Sequence, residues 1–152
     1  MTTTPSSLQP IETVEIQNAI DIAAPIEIAF EAMLDELGPD AQMEDGTAMP
    51  FKLEAWPGGR WYRDLGRNSG HLWGHVQVIK PPTFARNLRT VDDVLSRNEP
   101  SSISLCRLAG RNEIEFVHRG MGLITFQHRE GMPKGWANWI DKIRQRAERK
   151  AK

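Results

Sequence analysis

The stretch "WANWIDKIRQRA", residues 136–147, has the pattern that decides the fold. Its apolar side chains recur at the spacing of one helix face, namely Trp136, Trp139, Ile140, Ile143 and Ala147. Charged residues mostly occupy the other faces, and the basic run that follows complements the partial negative charge of a helix C-terminus. This stripe predicts a long amphipathic helix with one face buried against another layer.

Upstream of this helix, the sequence predicts a first strand and then a shorter helix. Residues 12–24, "ETVEIQNAIDIAA", alternate apolar and polar side chains as a half-buried strand does. Pro25 suits the start of a helix and Gly38 suits its end. The apolar residues between them recur at helical spacing, namely Ile26, Phe30, Met33, Leu34 and Leu37.

Several strands separated by turn signals follow the shorter helix. The turn "PGG", residues 57–59, separates "PFKLEAW" from "RWYRDL" and predicts a hairpin. Further strands are predicted over "HLWGHVQVI", residues 71–79, and "NEIEFVHRGM", residues 112–121. The order of strand, helix, antiparallel strands and long helix is typical of an α+β fold with a sheet packed on the C-terminal helix. A curved sheet that wraps one helix leaves a space that suits a small apolar ligand.

Length, charge and cysteine content restrict the class of protein. With 152 residues and a net charge of -1, we expect one domain and no attraction to nucleic acid. No apolar run is long enough for insertion into a membrane. The single cysteine, Cys106, has no activating neighbour and favours an inert thiol in a cytoplasmic protein. The polar start "MTTTPSSLQP" predicts a disordered leader over residues 1–11, before a single domain over residues 12–150.

The sequence contains none of the familiar catalytic or metal-binding motifs. His71 and His75 are four residues apart, but on a strand they are predicted to share one face at long range. No cysteine or acid cluster completes a metal site there, so a structural role is favoured. His118 follows Ile114 and Phe116 on the predicted inward face. It is either a polar group at the mouth of a pocket or, as the simpler and favoured interpretation, a strand-end histidine bonded to backbone. We therefore expect no metal, no cofactor and no catalytic residue.

Three stretches of the chain together resemble a known superfamily. They are "AIDIAAPIEIAFEAM" (residues 19–33), "LEAWPGGRWYRDLG" (53–66) with "GHVQVIKPP" (74–82), and "EIEFVHRGMGLI" (113–124) with "HREGMPKGW" (128–136). In order and spacing these are similar to the START-like helix-grip superfamily, also called SRPBCC. Within it they resemble the branch named after the activator of heat-shock protein 90 ATPase. The resemblance covers residues 12 to 149.

The resemblance implies a curved antiparallel sheet of about seven strands around a long C-terminal helix, with short helices after the first strand. It also implies a hydrophobic cavity between sheet and helix, and it supplies no catalytic set that maps onto this chain. Seven residues are predicted to line that cavity: Leu53, Trp61, Trp73, Phe116, His118, Trp136 and Ile140.

Three functions remain open at this point. The favoured one is non-catalytic binding of a small hydrophobic molecule in the cavity. The second is a cyclase or hydrolase that acts on a hydrophobic substrate there, with His118 or Glu54 as the reacting group. The third is a co-chaperone-like interaction protein, which rests on the branch name alone, and the identity of any protein partner is unknown.

The segment "TFARNLRTVDDVLSRNEPSSIS", residues 83–104, departs from the resemblance. Similar sequences have an apolar strand with a "GPL" and "SYP" pattern after the double proline. Codons for residues 86–101 can be chosen so that the next frame reads EICGPLMMSYPATSH, which matches that pattern. We hypothesise two compensating frame shifts around residues 84–104; the alternative is a divergent loop. A shifted segment is not selected to pack, so strand pairing is predicted to resume only near Ser104–Leu108 and to be regular by Glu113–His118.

Overall fold

The computed structural model describes Thr2, residues 10–90 and residues 97–152, with backbone alone for residues 87–90 and 97–100. Most of the predicted leader therefore lies outside the described residues. The elements are β1 (Glu12–Ile22), α1 (Ile26–Leu37), β2 (Lys52–Leu53), β3 (Arg60–Gly66), β4 (Ser69–Lys80), β5 (Phe84–Thr90), β6 (Arg97–Leu108), β7 (Arg111–Gly122) and α2 (Phe126–Lys150).

The strands form one seven-stranded antiparallel sheet in the order β1-β7-β6-β5-β4-β3-β2. The first strand pairs with the last one over its whole length, from Glu12 opposite Gly122 to Ile22 opposite Asn112. The sheet is curved and packs against α2, and α1 packs beside α2. The α+β helix-grip fold expected from the sequence is confirmed. The described residues between β1 and β2 contain one helix, α1, rather than several.

The long helix α2 is built as its apolar stripe predicts. It begins after Thr125, whose side chain accepts a hydrogen bond from the backbone N–H of His128, and its last turn is basic. Every member of the stripe is buried, namely Trp136, Trp139, Ile140, Ile143 and Ala147. Its other faces are largely charged, and no helix in the described part of the chain combines the length and apolarity needed to cross a membrane.

Two tryptophan side chains satisfy the C-terminal end of α1. The last carbonyl groups of a helix have no partner within the helix, and a buried carbonyl without a partner is destabilising. The indole nitrogen of Trp61 donates to the carbonyl of Leu37 at 2.6 Å, and that of Trp139 donates to the carbonyl of Glu36 at 2.7 Å. Strand β3 and helix α2 are therefore joined to the end of α1 by directional bonds as well as by packing.

The segment that departs from the resemblance forms part of the sheet. Phe84 lies opposite Ser104 and Thr90 lies opposite Asn98, so β5 and β6 are paired in regular register over their described length. The prediction that strand pairing resumes only near Ser104 is therefore wrong. Within β6, Ser101, Ile103 and Leu105 are buried in alternation, as expected for a strand that covers the core. The residues between the two strands, 91–96, lie outside the described residues.

Candidate ligand-binding site

Four aromatic rings meet where α2 crosses β3 and β4. Phe51 lies 4.6 Å from Trp73 between ring centroids, and Trp61 lies 5.5 Å from Trp73 and 5.6 Å from Trp139. Trp61 has no exposed surface. It lies opposite Gly74 on β4, which has no side chain. Tilted and edge contacts at these separations are favourable for aromatic rings, so this group is a rigid wall of the interior.

A β-bulge turns Trp73 toward this group. Trp61 pairs with Gly74 and the next residue, Tyr62, pairs with Leu72, which leaves Trp73 as an extra residue in β4. The bulge offsets the alternation of β4. His71 and His75, on either side of it, therefore do not follow one face as predicted, and both are exposed. No group of three metal-ligating side chains occurs among the described residues.

The aromatic wall continues along α2 into the sheet. Trp136 stacks on Trp139 with ring centroids 5.3 Å apart and an angle of 22° between the planes. Phe116 lies 4.5 Å from Trp136, and the imidazole of His118 lies 5.5 Å from Trp136. Because Trp136 and Trp139 are three positions apart on one helix, α2 presents two neighbouring indoles to the sheet side.

A cleft of about 470 Å³ opens beside these indoles. It lies between the N-terminal half of α2, strand β4 and the loop that joins α1 to β2. Its apolar walls come from three tryptophans and three methionines, so we call it the Trp–Met cleft. Its lining is Gln42, Met43, Glu44, Asp45, Met49, Trp73, Met132, Gly135, Trp136, Asn138 and Trp139. The volume and apolar character are those of a small-molecule site.

The loop side of the Trp–Met cleft is acidic. Glu44 and Asp45 both belong to its lining. The backbone N–H of Thr47 donates to Asp45 at 2.9 Å, and hydrogen bonds from the side chain and backbone of Thr47 lower the pKa of Asp45 below its ordinary value. Lys142 of α2 donates to the carbonyl of Met43 at 2.8 Å and so ties the loop to the helix. Asp45 is therefore ionised at neutral pH, at the edge of an apolar surface.

Among the residues whose side chains the structure describes, the space deeper between sheet and α2 is almost filled. A second cavity there has a volume of about 30 Å³, which is room for about one water molecule. Its lining is Met33, Leu34, Leu37, Leu53, Ala55, Val76, Ile79, Ala85, Arg86, Ser101, Ile103, Phe116 and Trp136. Large side chains from both layers occupy the volume that a ligand would need.

One polar pair lies in this filled interior. Ser101 of β6 lies opposite His118 of β7, and Ser101 Oγ shares a hydrogen bond of 2.6 Å with His118 Nδ1. His118 has no exposed surface and Ser101 is 5% exposed. A buried polar group needs a partner, and the serine supplies one to the histidine. His118 bonds to a neighbouring strand's side chain through Nδ1, and not only to backbone as the simpler sequence interpretation has it.

The seven residues predicted to line a cavity fall into three groups. Trp73 and Trp136 line the Trp–Met cleft. Leu53 and Phe116 line the small inner cavity, together with Trp136. The remaining three line neither of these two cavities and are fully buried in the packed core, namely Trp61, His118 and Ile140.

Two further candidate groups lie away from the cleft. The Arg60 side chain donates to both carboxylate oxygens of Glu54, at 2.7 and 2.9 Å, and these bonds lower the pKa of Glu54 to about 2. A carboxylate held in this way is a poor proton acceptor at neutral pH.

Burial raises the pKa of the Cys106 thiol, and the nearby Glu115 and Glu113 act in the same direction. The thiol is therefore protonated and weakly nucleophilic.

Most of the acidic and methionine side of the cleft was not identified from the sequence. The stretch "PDAQMEDGTAM", residues 39–49, reads as a polar loop, and its contact with α2 is decided by the fold. One signal was present in Met43, Met49 and Met132, because methionine is common at adaptable binding surfaces. Ser101 was missed for a different reason: it lies in the segment that was interpreted as atypical.

Taken together, the strand order, the long C-terminal helix and the aromatic wall between them define a helix-grip protein. No protein-family model matches this chain, and no curated protein sequence matches it. Similarity is found among solved structures, where many chains share the fold.

Three of these structures illustrate the range of proteins that share the fold. The solution structure of the Aha1 dimer from Colwellia psychrerythraea has a TM-score of 0.64 at 14% identity, covering 89% of this chain and 96% of that one. The di-domain ARO/CYC BexL from the BE-7585A biosynthetic pathway has a TM-score of 0.63 at 12% identity, covering 90% of this chain and 50% of that one. Ara h 8.0201 has a TM-score of 0.62 at 11% identity, covering 88% of this chain and 97% of that one. At these identities the likeness establishes the fold and does not single out one branch.

Proposed function

We propose that this protein binds a small hydrophobic molecule in the Trp–Met cleft. The observation that supports this most strongly is the contrast between two spaces on the inner side of the sheet. The Trp–Met cleft has about 470 Å³ beside three tryptophans and three methionines, whereas the inner cavity has about 30 Å³. Burial of an apolar ligand against these side chains is favourable in proportion to the apolar area removed from water.

Binding without turnover is better supported than an enzymatic function. The polar pair Ser101–His118 adjoins the small inner cavity, through Ser101, and not the Trp–Met cleft. Glu54 is held ionised by Arg60 outside both cavities. A reacting group must lie within hydrogen-bond reach of its substrate, and neither candidate meets this condition for a molecule in the Trp–Met cleft.

The fold neighbours support two other functions less strongly. The ARO/CYC name of BexL is the reason to keep a cyclase as an alternative, in which Ser101 and His118 would act on a substrate that enlarges the inner cavity. The Aha1 dimer, together with the resemblance to the branch named after the activator of heat-shock protein 90 ATPase, is the reason to keep a co-chaperone-like interaction as an alternative. A cytoplasmic location also remains a prediction from the sequence.

A matched pair of glycines in α2 allows a direct test. A β-carbon at Gly135, which lines the cleft, would meet only Glu44 Oε1 at 3.8 Å. A β-carbon at Gly131 would meet nothing within 4 Å, and Gly131 is exposed outside the cleft lining. The β-carbon of Gly135→Leu therefore has room, and the rest of its side chain would occupy part of the cleft. Gly131→Leu makes the same change to the same helix at a position outside the cleft lining.

The probe is naphthylmethanol, a neutral apolar molecule, and its binding is measured by titration calorimetry. We expect saturable binding to the wild-type protein and to Gly131→Leu, and loss of at least about tenfold in affinity in Gly135→Leu. Thermal unfolding confirms that both variants are folded. Equal binding by both variants, or no binding by the wild type, would contradict the proposal. Turnover of an ester or polyketide analogue that disappears in His118→Ala would favour the enzyme instead.

A further inference from the structure

The charges in the lining of the Trp–Met cleft have one sign. Among its described lining residues, Glu44 and Asp45 are acidic, and none is a lysine or arginine. Lys142 donates to the carbonyl of Met43, and its charge also helps to lower the pKa of Asp45, so it offsets part of the acidic charge and leaves the lining net negative. An anionic ligand would therefore face two carboxylates, whereas a cationic ligand would neutralise them.

The two acidic residues are exposed at the edge of the cleft, where a bound ligand can meet them. Glu44 Oε1 lies 3.8 Å from the position of a β-carbon on Gly135, so it stands over the α2 wall of the cleft. Asp45 is oriented by Thr47 at the same loop. A ligand whose apolar body lies on the indoles has its other end within reach of this acidic side.

The indoles themselves favour a cation. Trp136 and Trp139 are stacked at 5.3 Å, and Trp73 meets Trp139 nearly edge-on, at 83° and 6.4 Å. Trp136 and Trp139 are only 4% and 8% exposed, so Trp73, which is half-buried, has the largest exposed fraction of the three indoles in the cleft lining. A positive charge over the face of Trp73 would be attracted by the negative potential of the ring, and tryptophan is the strongest aromatic partner for this contact.

We propose that the ligand of the Trp–Met cleft is an apolar amine: an aryl or alkyl body on the tryptophans and methionines, with a protonated nitrogen beside Glu44 and Asp45. This inference rests on the proposed function, because it names the chemical class bound in the same cleft. The acidic side selects the charge of the ligand, and the apolar walls supply most of the affinity.

The test compares three ligands with one ring and different charge, namely naphthylmethylamine, naphthylmethanol and naphthoate. We expect the amine to bind roughly fivefold more tightly than the alcohol, the factor that one charge pair at about 4 Å contributes in water. Naphthoate should bind more weakly than the alcohol. At about 0.5 M NaCl the advantage of the amine should shrink, while the affinity of the alcohol changes little.

Glu44→Gln identifies the charge responsible. It should remove most of the roughly fivefold advantage of the amine over the alcohol. Glu130→Gln, an equal change of charge at an exposed site on α2 outside the cleft lining, should leave that advantage unchanged. If the alcohol binds in the cleft and the amine binds no more tightly, the amine inference is wrong while the proposed function stands. If none of the three ligands binds the wild-type protein, the amine inference and the proposed function are both wrong. The same holds if Gly135→Leu binds all three ligands as tightly as the wild type does.

Discussion

Gly59 lies where a β-carbon does not fit, whereas Gly131 lies where a β-carbon has open space. A β-carbon on Gly59 would lie within 2.8 Å of the carbonyl carbon of Glu54 and closer still to its oxygen, whereas one on Gly131 would meet nothing. Gly59→Ala is therefore expected to destabilise the protein by about 1–3 kcal/mol, because backbone must move. Gly131→Ala should stabilise it by about 0.5–1 kcal/mol, because alanine lowers the entropy cost of the helix. Urea unfolding measures both, and the same sign for the two changes would contradict this explanation.

Glu54 provides a test of the electrostatics at a single residue. Hydrogen bonds from Arg60 lower the pKa of Glu54 from an ordinary 4.5 to about 2. Because the folded-state pKa is depressed, the contribution of this pair to stability is complete above about pH 4.5 and is lost as the pH falls through about 2. Arg60→Gln should move the Glu54 carboxyl titration, followed by NMR, back toward 4.5. As a control, Arg119→Gln removes an arginine that pairs with Glu15 and should leave the pKa of Glu54 unchanged. A pKa of Glu54 near 4.5 in the wild-type protein would exclude the pairing with Arg60.

At the scale of the element, α2 is held by its buried tryptophans. Trp136 is 4% exposed, whereas Trp56, in the loop before β3, is 57% exposed. Trp136→Ala is expected to cost about 3–5 kcal/mol in unfolding free energy, as for large core aromatic residues. Trp56→Ala removes the same side chain from the surface and should change it by less than about 0.5 kcal/mol. Chemical denaturation of the two variants gives the comparison, and similar values would mean that α2 does not anchor the core.

The two helices also depend on each other through polar contacts. Arg146 of α2 donates to Glu36 of α1 at 2.7 Å, and Glu36 is 5% exposed. The backbone of the same residue accepts the Trp139 indole N–H. The carbonyl groups at the end of α1 thus accept from side chains of α2 and β3 as well as from the backbone N–H of Gly38, so neither helix is expected to be stable alone.

For the whole molecule, the open question is the origin of the β5–β6 hairpin. It lies in the middle of the sheet, between β4 and β7, and its described backbone is regularly paired. The frame-shift hypothesis remains a prediction, and the gene's nucleotides test it: the next frame over residues 84–104 either reads through to the expected pattern or does not. If it does, restoring that reading should raise stability by about 2–4 kcal/mol, through added apolar burial. Stop codons or an unrelated peptide in that frame would make the segment a divergent hairpin.

The sequence by itself determined the elements whose pattern is local. The stripe from Trp136 to Ala147 predicts α2, and Pro25 with Gly38 brackets α1 at the observed positions. Helical spacing is set within a few residues, so it can be read without knowing the rest of the fold. The α+β class followed from the order of these elements. Trp136 lies at the cleft because it belongs to this stripe, whereas Trp73, which was predicted from the resemblance, lies at a bulge in β4.

Only the tertiary structure decided how these elements meet. The bulge at Trp73 and the pairing of Ser101 with His118 depend on strand register, which is a property of two distant segments. The loop over residues 42–49 becomes the acidic side of a cleft because it packs beside α2. The bond from Lys142 to Met43 joins these two segments, which are about a hundred positions apart in the chain. Whether the helix-grip interior is open or filled is likewise decided by side-chain volumes from both layers together. The described side chains leave about 30 Å³ in the inner cavity, and the larger of these two spaces lies at the edge, where α2, β4 and the loop do not close.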